Sequence, residues 1–223
     1  DGEGLYLYNS GGELLDSVEF GMQLPDMSIG RIGNEGSWTL TVPSFGQANI
    51  AQPLGDAKVL KINEWLADGL VLFEDDFIEL YNPQVSPVDM TGLYLTDNPT
   101  TQPDKCPLAP LSFIAGEGFA VFTADDSNRP GHVDFRLSAD TEIISLLDAG
   151  LNEIDKVFYG PQTTDVSYGR APNGSDNFEF MELPTPGAAN PSSGPASITT
   201  INLVPENADK RVLVPTEDIG QAW

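Results

Sequence analysis

An all-β chain, folded as a sandwich of short strands, is what this sequence predicts, and three observations carry the prediction. Apolar and polar residues alternate in short runs, as in FIELY at 77–81 and GLYLT at 92–96, which is the period-two pattern of strands with one buried face. The 22 Gly and 18 Pro residues punctuate these runs with turn dipeptides, as expected where many tight turns join short strands. No segment sustains the period of an amphipathic helix.

Taken in order, the chain begins with a segment that recurs later. Residues 1–50 match residues 140–191: DGEGLYLYNSGGELLDSVEFGMQLPDMSIGR lies over DTEIISLLDAGLNEIDKVFYGPQTTDVSYGR at constant register. The overlay pairs Asp16 with Asp155, Gly21 with Gly160, Asp26 with Asp165, Ser28 with Ser167, and Gly30-Arg31 with Gly169-Arg170. After small length differences VPSFGQANI answers LPTPGAANP, pairing Pro43 with Pro184, Gly46 with Gly187 and Asn49 with Asn190. The stretch 58–139 has no counterpart ahead of residue 1. The chain therefore reads as the back half of one domain (1–50), a linker (51–57), a complete copy (58–191), a second linker (192–197) and the opening of a further β domain (198–223). The half-copy, lacking its first strands, is expected to leave open sheet edges and incompletely covered core positions around Leu5, Leu7, Leu15 and Val18, unless it packs on a neighbour.

Within the complete copy, strands are expected at 59–65, 77–83, 92–97, 118–124, 142–148 and 153–160, and in SYGRAPNG and NFEFMEL. The runs at 142–148 and 153–160 flank a short turn containing Gly150 and read as a hairpin. About seven to nine strands spaced by roughly ten residues favour a sandwich over a propeller or an α/β fold.

Composition narrows function. The 34 acidic against 10 basic residues give a formal charge of −24, which repels a phosphate backbone, and the scattered cations form no basic stripe, so nucleic-acid binding is not expected. Such a surface suits solubility, a saline exterior or weak divalent-cation binding. A single cysteine, Cys106, excludes an intrachain disulfide and a cysteine-rich zinc site. No apolar run reaches the roughly 20 residues of a membrane-spanning helix. His132 is the only histidine, so any Ser-His-Asp or Cys-His arrangement must use it, and its setting in RPGHVDF reads as a loop entering a strand.

The motifs INEW, DFIELYNP, VDMTGLYLTD, FRLSADTEIISLLDAGLNEIDKVFYG, DVSYGRAPNGS and PTPGAAN occur in that order, and together they resemble the bacterial form of the lamin tail domain across residues 58–191. The resemblance implies an immunoglobulin-like β-sandwich and, for 1–50, part of a second such domain. The segment LVPENADKRVLVPTEDIGQAW is similar to the start of galactose-binding-like jelly-roll domains. Bacterial members of the family sit in large secreted or surface proteins beside nuclease, phosphatase and other hydrolase domains. What this implies is a non-catalytic binding or spacer module with protein or glycan contacts and an extracellular or cell-surface location. The alternative is an accessory module of a secreted hydrolase whose catalytic domain lies elsewhere. The basic DNA-contacting surface of lamin tails does not carry over to these residues.

The motif residues are expected to act structurally: Asn63, Glu64, Asp76, Glu79, Asn82, Gly92, Asp97, Asp155, Gly160, Ser167, Gly169, Arg170, Pro184, Gly187 and Asn190. Asp76 is expected to cap a turn and Glu79 to pair across the sheet with Arg170. The repetition of Arg170 at Arg31 argues for a clamp within the fold rather than a ligand site. Two acidic clusters, Glu74-Asp75-Asp76 with Glu79 and Asp125-Asp126 with Asp134, are the candidate calcium ligands, weighed against solvated loops whose charge discourages edge-to-edge strand pairing. No other cofactor is expected. Asn173-Gly-Ser matches the glycosylation acceptor pattern, and Trp65, Tyr81 and Tyr94 are read as packing residues rather than a sugar-binding face.

Overall fold

In the computed structural model, which describes residues 2–33, 36–127 and 129–191, the chain is all-β, and no α-helix occurs among the described residues. The first part holds a hairpin, β1 (Glu3–Tyr8) with β2 (Leu14–Phe20), and a three-stranded sheet of β3 (Ser28–Ile32), β4 (Ser37–Val42) and β5 (Ile50–Ala51). A 3-10 turn at Ala57–Val59, capped by the Asp56 carboxylate accepting from the Lys58 N–H, leads into the rest. There follow β6 (Lys61–Leu66), β7 (Asp76–Tyr81), β8 (Val88–Asp89), β9 (Tyr94–Thr96), β10 (Cys106–Pro107) and β11 (Phe113–Ile114). The last are β12 (Phe119–Ala124), β13 (His132–Val133), β14 (Glu142–Leu147), β15 (Glu153–Tyr159), β16 (Ser167–Arg170) and β17 (Phe178–Met181). Every expected strand of the complete copy forms. The additions, β8, β10, β11 and β13, are two-residue pairings, too short for a period to register in the sequence.

A six-stranded sheet in the order β13-β12-β7-β6-β16-β17 and a four-stranded sheet in the order β10-β9-β14-β15 share one hydrophobic core, while β8 and β11 pair separately. The core takes Ile62, Trp65, Ile78, Leu80 and Phe122 from the first sheet and Leu95, Ile144, Leu146, Val157 and Tyr159 from the second. Fully burying each large apolar side chain contributes about 1.5–3 kcal/mol. Trp65 is at its centre, with ring centroids 5.4 Å from Tyr159, 5.3 Å from Tyr168 and 5.8 Å from Phe178. Ile62 and Trp65 are three positions apart and would face opposite ways in a regular strand. The β6–β7 register shifts between Ile62 and Glu64. This bulge turns both apolar side chains inward and aims Asn63 and Glu64 at the opposite face.

The repeat is as visible in geometry as in sequence. β1–β2 and β14–β15 have the same strand lengths and the same irregularity, between Leu7 and Tyr8 in one and between Leu146 and Leu147 in the other. In the first hairpin loop Asn9 Oδ1 accepts from the N–H groups of Gly11 and Glu13, and in the second Asp148 Oδ1 accepts from Gly150 and Asn152. Asp26 and Asp165 both adopt left-handed φ, 58° and 57°.

Coverage differs between the copies. Leu5 and Leu7 are 60 % and 59 % exposed, whereas their counterparts Ile144 and Leu146 are at 0 %, and Leu15 is also exposed. Val18 meets the stated exception: with Phe20, Leu24, Ile29 and Trp38 it packs on a second cluster of Leu40, Leu111 and Phe113. Leu111 and Phe113 belong to the complete copy, so the half-copy leans on its neighbour. Backbone bonds fasten the contact, Gly21 N–H to Pro110 O at 2.8 Å and Phe113 N–H to Met22 O at 2.9 Å, and Gln23 Nε2 donates to Leu111 O at 2.7 Å. A side chain at Gly21 would run into Ser112 and Ala109. The stretch 51–57 is held at both ends, by Gln52 N–H on Leu40 O and Gly55 N–H on Pro87 O. Segments 192–197 and 198–223 lie outside the described residues. No helix among the described residues is long and apolar enough to cross a membrane.

Candidate functional site: a repeated arginine clamp and two covered carboxylates

The motif residues converge on both faces of β6 and β16. On the inner side, β16 directs Arg170 into the core opposite β15. Its Nη2 donates to both oxygens of Asp155 at 3.0 and 3.2 Å, its Nε to Ile62 O at 2.8 Å and its Nη1 to Ser175 O at 2.6 Å. Asp155 in turn accepts from the Ile62 N–H at 2.9 Å, and Lys61 Nζ stands 3.5 Å away. The guanidinium lies 4.6 Å over the Phe178 ring. Arg170 and Asp155 thus grip the backbone of β6 at Ile62. The expected partner, Glu79, lies on the other face of the sheet, because residues of β7 alternate and Glu79 is out of phase with the core residues Ile78 and Leu80.

On that outer side Glu64 and Glu79 occupy facing positions of β6 and β7, both fully covered at 0 % exposure. The turn after β17 closes over them. Glu64 accepts from Ser167 Oγ, from the Thr185 N–H at 2.9 Å and from Thr185 Oγ1 at 2.9 Å. Glu79 accepts from Asn63 Nδ2 at 3.0 Å and the Gly187 N–H at 2.6 Å. Desolvation pushes the Glu79 carboxyl up to about 8, against the pull of those two donors and with the help of the neighbouring Glu64 charge. Asn190 ties the turn to the sheet, Nδ2 donating to Arg170 O at 2.8 Å and Asn63 O at 3.3 Å. Gly187 has φ 80°, where a Cβ is strained. Pro184, half-buried, opens the turn.

Elsewhere the expected structural residues act one by one. Asp76 accepts from the Gly69 N–H at 3.0 Å, closing the 69–76 loop, and burial raises its carboxyl. Asn82 braces a turn by donating to Ser86 O and Ala115 O and accepting from the Gln84 N–H. Gly92 has φ 76°, and Asp97 holds Lys105 Nζ at 2.8 Å. At Gly169 a Cβ would come within 2.5 Å of Asn63 O, so glycine lets β6 approach. Gly160 is different: a Cβ there meets nothing within 4 Å, and nothing in the structure requires glycine.

The calcium candidates do not assemble. Among the described residues no group of three or more His, Cys, Asp or Glu side chains is placed to hold a metal ion. Asp125 is engaged by Arg129 Nη2 at 2.8 Å and His132 Nδ1 at 3.1 Å, and Asp126 is exposed. Glu74 and Asp75 lie in the loop before β7, while Asp76 is committed to Gly69. Cys106 is buried beside a cavity of about 170 Å³ that His132 also lines. Burial raises its thiol, the reverse of an activated nucleophile.

Three contributors escaped the sequence. Asp165 accepts from the N–H groups of Leu70, Val71 and Leu72, which hold its carboxyl below the usual range; its repetition at Asp26 was the available signal. Thr185 joins Glu64 to Asn190, and Asn173 Oδ1 accepts from the Asn190 N–H at 2.8 Å, so the glycosylation-pattern asparagine is part of this lattice.

A carboxyl titrating near 8 beside a second carboxylate has the make-up of a proton-transfer pair. Here the turn at 184–190 covers both, and their oxygens are taken up by protein donors. No protein-family model, curated protein or solved structure matches this chain.

Proposed function

We propose that the chain is a non-catalytic binding or spacer module of a large exported protein, built from an immunoglobulin-like, lamin-tail-like sandwich and part of a second. The observation that carries the reading is where the motif polar groups go. Asp155, Arg170, Asn190, Glu64 and Glu79 all bond within the fold, and Asp16, Arg31 and Asn49 repeat the first three in the half-copy. Residues that recur in the same mutual bonds in both copies serve architecture, because a reaction site needs polar groups turned toward a substrate. The joint through Leu111 and Phe113 suits a spacer, since it holds two copies in fixed order along the chain. The charge of −24 suits an exterior location and argues against nucleic acid as the partner.

The test is turnover. The purified chain, assayed with and without calcium on chromogenic phosphate monoesters, phosphate diesters and glycosides, is expected to match buffer. Turnover that survives repurification and disappears in Glu79→Gln would overturn the reading.

A further inference from the structure

The turn at 184–190 is held down by hydrogen bonds rather than by apolar burial. No residue from Pro184 to Ala189 is buried, and only Asn190 at its end is sealed. Two bonds from Thr185 to Glu64 and one from the Gly187 N–H to Glu79 fasten its middle. Asn190 Nδ2 fastens its end to Arg170 O and Asn63 O. The charge on the two carboxyls therefore bears directly on whether the middle of the turn stays down.

The hydrogen bonds call for a proton on that pair. The Thr185 hydroxyl has one proton to give and two acceptors in reach, Glu64 Oε2 at 2.9 Å and Asn190 Oδ1 at 3.0 Å. Asn190 cannot be turned round, because its Nδ2 already donates to two backbone carbonyls. Both contacts are full hydrogen bonds when the carboxyl donates to Thr185 Oγ1 and the hydroxyl passes its own proton on to Asn190. The half-copy repeats the second of these bonds: Ser44, the counterpart of Thr185, donates from Oγ to Asn49 Oδ1 at 3.4 Å.

The surroundings favour the same count. Facing residues on adjacent antiparallel strands have Cβ atoms about 4.5–5.5 Å apart, and two carboxyls so placed out of water share a proton rather than both ionise. No cation stands on this face to offset a second charge. Val121 of β12 lies beside Glu79, Gly169 of β16 beside Glu64, and the turn itself has no titratable side chain. The further titratable groups on the face are Tyr81, two along β7, and Glu179 of β17, which pairs with Gly169. Arg170 and Asp155 are spent on each other across the sheet. Desolvation and the Glu64 charge accordingly hold the Glu79 carboxyl raised.

We propose that the turn at 184–190 is a strap locked by one proton that Glu64 and Glu79 share, and that its middle lifts from the sheet when this proton leaves. Loss of the proton puts two anions face to face under the strap and leaves the Thr185 hydroxyl to choose between Glu64 and Asn190. Lifting at Thr185 and Gly187 hydrates both carboxylates, while Asn190 keeps the end of the strap in place. The device is indifferent to whether the parent protein is catalytic.

The experiment is an NMR titration of the whole chain, labelled with ¹³C and ¹⁵N, from about pH 5.5 to about pH 9.5. The side-chain carboxyl carbons of Glu64 and Glu79 are expected to report one proton released between them on the alkaline side of neutrality. In the same step the Thr185 and Gly187 amides are expected to lose about tenfold or more of their protection from exchange, after correction for the intrinsic pH dependence. Amides of β6 and β16 keep theirs, and so do those of the 43–49 turn. Glu79→Gln retains an acceptor for the Gly187 N–H and carries no charge, so its strap is expected to stay protected across the range. Both carboxyls fully ionised by pH 6, or strap protection unchanged through their titration, would overturn the proposal, and both readings come from the wild-type chain without any variant. Equal loss of strap protection in a folded Glu79→Gln, or equal loss in the 43–49 turn, would overturn it as well.

Discussion

Arg170 and Arg31 form the same aspartate pair in different surroundings, and Arg170 also donates to Ile62 O and Ser175 O. Each pairs with an aspartate on the adjacent hairpin and lies over an aromatic ring, but only Arg170 is sealed from water. An exposed pair contributes about 0–1 kcal/mol, while removing one partner of a sealed pair costs about 3–5 kcal/mol. Glu79 gives the residue scale its sharpest consequence. Its folded-state carboxyl titrates near 8, well above its unfolded value, so its contribution to stability is full below the unfolded pKa and is lost as pH rises through the folded one. Asp76 and Glu142, also raised by desolvation, tilt the same way. Thermal melting is expected to fall between about pH 5 and pH 8.5, the Glu79 part amounting to roughly 2–4 kcal/mol. In Glu79→Gln, which has no carboxyl to ionise, the slope over that window is expected to flatten. An equal slope in wild type and variant would place the titrating group elsewhere.

At the scale of elements, β6 is the strand on which the others depend. Its bulge at Asn63 sends Ile62 and Trp65 to the core and Glu64 to the covered outer face, so a single strand serves both sides of the sheet. Its approach to β16 is set by Gly169. Gly169→Ala would put a Cβ against Asn63 O and the Glu64 backbone, neither of which moves without disturbing the bulge. The expected cost is about 2 kcal/mol or more in urea unfolding. Gly160→Ala, with open space around it and an ordinary φ, is expected to stay within about 0.5 kcal/mol of wild type. Comparable losses at the two glycines would mean that β6 and β16 are not held as closely as the geometry indicates.

For the molecule as a whole, the joint between half-copy and complete copy is the decisive feature. The half-copy's described core is small, and its closure at Phe20, Ile29 and Trp38 depends on Leu111 and Phe113. Phe113→Ala removes the larger part of that plug. Local stability follows local burial, so amide exchange in β1 to β5 is expected to quicken by about tenfold or more while β6, β7, β14 and β15 keep most of their protection. Uniform quickening would show instead that the two copies unfold as one unit.

Strand identity and the repeat were legible in the chain, because alternation, turn residues and internal likeness are local properties of one dimension. The eight longer strands of the complete copy, the hairpin at Gly150 and the doubled Asp–Arg pairing all followed from such patterns. Exposure of Leu5 and Leu7 followed as well, since residues 1–50 repeat 140–191 whereas the sequence given holds the 58–139 pattern once. Who bonds whom across space was decided only by the tertiary structure. Arg170 meets Asp155 rather than Glu79 because β7 alternates Glu79 to the far side of the sheet. The acids at Asp125 and Asp126 do not assemble into a site, since Asp125 is committed to Arg129 and His132 while Asp126 stays exposed. Leu111 and Phe113 cover the half-copy because docking brings a loop to a hairpin some ninety residues away, a proximity that no local pattern encodes.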